Sequence, residues 1–160
     1  MSDPLVTYLH DHLAGAVHAI ELLEAMKKRH ADDPLGGFAA GLLIEIEADR
    51  LVLRDLAERT GMGSSGVKEL GAWISEKLTR MKLSDQDAVS FGSFEALEFL
   101  VLGIHGKVAL WRTLAVVAPS DARLQGLDFG KLTSRAEMQE SQVDQRRLEI
   151  AKVIFRCPSK

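Results

Sequence analysis

FAAGLLIEIEADRLVLRDL, residues 38–56, is the stretch on which the fold turns. Phe38, Leu42, Ile46, Val52, Leu53 and Leu56 recur at helical spacing and define one apolar stripe. Glu45 and Asp49 fall inside that stripe, one helical turn apart, so their side chains are neighbours. A carboxylate turned toward a core must find a partner or stay protonated. What partners this pair is the functional question the sequence poses.

Outward from this stretch the same periodicity fills the chain, with helices expected at about 4–30, 35–60, 65–81, 93–117 and 121–155. Asp3 and Pro4 suit the start of the first, where Leu5, Leu9, Leu13, Ala16, Ile20 and Leu23 form the stripe. Lys27, Lys28, Arg29 and His30 place positive charge at its C-terminal end, before the break at Asp32-Asp33-Pro34. Gly61 and Gly63 end the second. The short third helix carries Leu70, Trp73, Ile74, Leu78 and Met81. Ser93 is the expected cap of the fourth, and Pro119 follows it. The last shows Phe129, Leu132, Ala136, Val143, Ile150 and Ile154, with a kink or restart expected at Gly126 or Gly130. No alternating strand pattern is found. The expectation is one all-α domain over 1–160: an antiparallel four-helix bundle whose long crossover contains the additional short helix.

Composition sets the outer limits. The chain has 160 residues, 46 % hydrophobic and 27 % charged, with a formal net charge of -3. No region is basic enough to suggest a nucleic-acid face. The single cysteine, Cys157, excludes an internal disulfide and a cysteine zinc site, and points to the cytoplasm. Met1-Ser2-Asp3-Pro4 lacks the features of a signal peptide, and no uncharged stretch reaches about 18 residues, so no membrane association is expected.

The helix pattern resembles the ferritin-like superfamily. That resemblance implies two helix pairs around a di-metal site, with one glutamate from each of two helices and a Glu-x-x-His from each of the other two. This sequence departs from the motif. Glu45 is followed three residues later by Ala48, Glu47 by Arg50, Glu137 by Glu140 and Glu140 by Val143. Both imidazole ligands are missing from their places. The chain is therefore similar to superfamily members that lack the di-metal motif, which implies no cofactor and no catalysis, and action through protein association or small-ligand binding. The alternative is a di-metal oxidase, oxygenase or metal store with unusual ligands drawn from His12, Glu45, Asp49, Glu98 and His105.

Without metal, the last helix offers a partner for the carboxylates. Glu140 and Arg147 share the face of Val143 and Ile150, and Gln139 and Arg146 flank it. A guanidinium from Arg146 or Arg147 would give Glu45 or Asp49 a planar, permanently charged fork. His12 lies on the apolar face of the first helix and joins this expected buried network of Glu45, Asp49, Glu140, Arg146, Arg147 and His12. Gly61-Met-Gly-Ser-Ser-Gly66 imitates a dinucleotide fingerprint, but a long helix precedes it where a strand is required, so it reads as a cap and turn.

The fourth helix is apolar beyond one stripe, from Leu97 to Val117, and Gly103 and Gly106 allow a close neighbour. Its expected core line is Phe94, Leu97, Val101, Ile104, Val108, Trp111 and Ala115. Surface beyond that line needs cover, from the Trp73 helix and from a second copy in a homodimer.

Overall fold

A computed structural model describes residues 3–61 and 89–156. The expected 65–81 helix with Trp73, and Cys157 near the end, lie outside the described residues. Among the described residues there are four long helices and no strand.

Local chemistry sets each boundary. The first helix, α1 (Pro4–Arg29), begins where the Asp3 side chain accepts from the Leu5 N–H at 2.9 Å and Pro4 takes the first turn. The second, α2 (Pro34–Arg59), repeats the device with Asp33 and Pro34, and Gly61 follows its end at φ 85°. The third, α3 (Phe91–Val117), is capped by Ser90, whose hydroxyl accepts from the Ser93 N–H at 3.1 Å. The expected cap, Ser93, thus donates its N–H to the observed cap, Ser90, and the helix starts two residues before the expected 93. The fourth, α4 (Phe129–Ile154), starts later than expected. The 3-10 turn Ala118–Ser120 follows α3, a second one, Ala122–Leu124, replaces the expected first stretch of α4, and the helix starts between Gly126 and Gly130, the two positions named for a restart. Gly126 reverses the chain at φ 86°, and Asp128 caps α4 through the Lys131 N–H. Arg123 pins this turn to the start of α1, with contacts of 2.6 Å to Asp3 and 2.7 Å to Asp121. Its guanidinium hydrogen bonds hold both carboxyls below the usual aspartate range.

Packing follows from the apolar stripes. α1 packs along α2, and α3 along α4, while α1 also meets α3. The buried side chains form two clusters, one toward each end. The first joins Leu22, Leu23, Leu42, Ile46, Leu97, Leu100, Val143 and Ile150. The second joins Leu9, Leu13, Leu53, Leu56, Trp111, Leu114, Leu124 and Phe129. The early residues of α1 and the late residues of α2 and α3 share the second cluster. So α1 runs against α3, α2 runs with α3, and Gly61 and Val89 stand at opposite ends of the helices.

The buried arc of α3 differs from the expected line. Leu100, Leu110 and Leu114 are buried, Val101 is only partly covered and Ala115 is exposed. The segment Phe91–Ser120 is also long and apolar enough to cross a membrane by length and composition, with 33 % of its apolar window buried. This corrects the expectation that nothing reads as a span, because the helix is apolar enough to carry its few charges and still pass. Here one face of it is built into the helix packing.

Candidate functional site

Asp49 is 3 % exposed and sits mid-way between the two apolar clusters. Its partners come from the other hairpin. Lys107 on α3 places its Nζ 2.5 Å from Asp49 Oδ2, and the Arg135 guanidinium on α4 donates to Oδ1. Gln139 on α4, 1 % exposed, ties the group together. Its Oε1 accepts from Lys107 Nζ at 2.5 Å. Its Nε2 donates to Glu45 Oε2 at 2.9 Å and lies 3.3 Å from Asp49 Oδ2. Two carboxylates therefore balance two cations around one buried amide. Burial pushes the Lys107 ammonium below the usual lysine range, and Asp49 pulls in the opposite direction.

The partner expected for Asp49 was an arginine of the last helix, and Arg135 supplies one. Arg146 and Arg147, the residues expected there, lie elsewhere. Arg146 stacks 4.2 Å over the Phe38 ring. Arg147 pairs with Asp144 at 2.7 Å and Glu98 at 3.3 Å, and lies over Phe94. Glu140 accepts from exposed His105 at 3.0 Å. Glu45 is an exposed residue that reaches the network only through its carboxylate tip. His12 is half-buried against the Tyr8 ring, centroids 4.7 Å apart, and takes no part in the network.

The alternative metal set is dispersed in the same way. Glu98 meets Arg147, His105 meets Glu140, and Asp49 meets Lys107 and Arg135. Among the described residues no three His, Cys, Asp or Glu side chains are grouped so as to hold a metal ion. The donor chemistry also does not fit one. A di-metal centre needs anionic oxygens facing inward, and here both oxygens of the innermost carboxylate are taken by an ammonium and a guanidinium.

Beside the network lies a cavity of about 160 Å³ between α1, α2 and α3. Ala16 and Ala19, Ile46 and Leu53, Phe99, Leu100 and Ile104 make its walls apolar. Its polar lining comes from His12, His18, Asp49, Arg50, Lys107 and Trp111, with Asp11 also contributing. The Trp111 Nε1, Arg50 Nε and His18 Nδ1 atoms are buried without a hydrogen-bond partner among the described residues. Such orphaned groups are uncommon in native interiors.

His12 on the cavity wall gives a pH signature. Burial lowers its pKa from 6.5, with Asp11 opposing the shift. Protonation then favours the unfolded chain. The stability His12 contributes is complete above about pH 6.5 and is lost as pH falls through its lower folded value. Melting temperature should drop more between about pH 7.5 and 5.5 in the parent than in His12→Phe, where that histidine no longer titrates. Parallel slopes for the two proteins would contradict this.

No protein-family model, curated protein or solved structure matches the chain. Sequence reasoning missed Lys107 and Arg135 and placed Gln139 only at the edge of the inward face, although Lys107 and Gln139 leave a trace in the sequence. Lys107 occupies the 4-3-4-3 line of Leu100, Ile104, Trp111 and Leu114, and Gln139 fills the gap between Ala136 and Val143.

Proposed function

We propose that this protein is a ferritin-like bundle in which an internal charge network stands where relatives hold metal, and that it works by binding a small molecule rather than by catalysis. The observation that carries this reading is the apolar cavity directly beside a closed, charge-balanced cluster. The helix directions support the ferritin-like part, since α2 runs with α3, and the chain leaves α2 at one end of the helices and enters α3 at the other. A volume of about 150 Å³ accepts a benzene-sized molecule when its walls are apolar. Benzyl alcohol should therefore bind saturably in calorimetry, and Ala16→Leu, which fills the cavity wall, should weaken it. A folded protein that takes up no ring-sized probe would remove this reading.

A second reading, association with another copy, rests on the outer face of α3. Leu102, Gly106, Ala109, Thr113 and Val116 follow heptad spacing there, and Leu102 and Val116 are 67 % and 81 % exposed. We expect a sedimenting dimer that Leu102→Glu converts to a 17.6 kDa species; a monomer in the unsubstituted protein contradicts it.

A further inference from the structure

We infer that the cavity between α1, α2 and α3 takes a small amphipathic monoanion, a ring-sized or short aliphatic body carrying one carboxylate, with Arg50 as the residue that receives the charge. The inference rests on the small-ligand reading and adds the chemical class.

The neighbouring network is neutral within itself, because Glu45 and Asp49 answer Lys107 and Arg135. Arg50 stands outside that balance. It lines the cavity, is half-buried, and has no ion pair or hydrogen bond among the described residues. A guanidinium is charged at any physiological pH, and its fork matches a carboxylate in two parallel bonds. Leaving one partly desolvated without an anion is costly, so an anionic visitor is the chemistry that completes it. Asp11, the remaining carboxylate of the lining, is largely exposed and lies 3.6 Å from His10.

Independent groups point the same way. Trp111 is 1 % exposed, lines the cavity, and its Nε1–H has no acceptor among the described residues. An indole N–H can only donate. Lys107 spends two N–H bonds on Asp49 and Gln139 and retains a third. The unmet groups of fixed character around this cavity are thus donors, while the walls are apolar. That combination selects an acceptor-rich head on a hydrocarbon body. It disfavours an amine, which would meet Arg50 and Lys107 as like charges.

Calorimetric titration with benzoate, benzyl alcohol and benzylamine tests the class. Benzoate should bind at least about tenfold more tightly than benzyl alcohol, and benzylamine should not bind. Arg50→Met should abolish the preference for benzoate, so that benzoate and benzyl alcohol bind alike, and Arg50→Lys should restore part of it. Because the second ligand reports on the cavity itself, a misfolded variant is recognised by loss of both. Equal affinity for benzoate and benzyl alcohol, unaffected by Arg50→Met, would overturn the anion inference and leave the small-ligand reading intact. Binding of none of the three by the folded parent would overturn both.

Discussion

Asp49→Ala is expected to destabilise the protein by about 3–5 kcal/mol, the largest effect of any single change at the network. Asp49 is buried, and its two oxygens are shared between Lys107 and Arg135. Removing it leaves two cations facing each other beside an apolar wall, with only Glu45, through Gln139, near enough to compensate. For a chain of this size each kcal/mol lowers the melting temperature by roughly 2–4 °C, so a fall of about 6–20 °C should be seen by scanning calorimetry. The pair's net worth is a separate matter. Replacing Asp49, Lys107 and Arg135 together by Leu, Met and Leu should cost far less than Asp49→Ala alone, because no charge is then stranded. A single-variant loss below about 1 kcal/mol would mean the network is hydrated and energetically slack.

Gly36→Ala comes next, at about 3 kcal/mol. A Cβ at position 36 would lie 1.9 Å from the His30 carbonyl oxygen and 2.5 Å from its carbon, both main-chain atoms. That carbonyl cannot withdraw freely, since it accepts the Asp33 N–H at 3.1 Å and so forms part of the turn that sets α2 against α1. Gly37 is the internal control. A Cβ there meets nothing within 4 Å, and Gly37→Ala should stabilise α2 by about 0.5–1 kcal/mol through helix propensity. Equal behaviour of the two alanines in urea unfolding would contradict the close approach.

These two sites show what was legible in the sequence. The four described helices, the Asp3 and Pro4 start and the Gly61 stop followed from spacing and caps, because those signals act over a few neighbouring residues. The anomaly of Asp49 was legible too, as a carboxylate in an apolar stripe. Its partners were not, because a stripe fixes which face of a helix looks inward and says nothing of height along the bundle. Asp49 lies in the second half of α2. With α2 and α4 running oppositely, the level it meets is the first half of α4, where Arg135 and Gln139 are, and Arg146 and Arg147 stand too far along. Lys107 was hidden for another reason. On a helix apolar on most sides, a lone lysine reads as a residue that reaches for water, and only the position of Asp49 across the core reveals its use. The cavity has no sequence signature, since it arises where the small residues Gly15, Ala16 and Ala19 of α1 face Gly103 of α3.

Lys107 and Arg135 take both oxygens of the buried Asp49 carboxylate, which leaves that carboxylate unavailable to a metal ion. Elemental analysis of the protein, purified without chelator and after incubation with iron, manganese and zinc, tests it most directly. Far less than one equivalent of any transition metal per chain is expected, with no change in melting temperature on adding these ions. One or two tightly held equivalents, lost in Asp49→Asn, would contradict it.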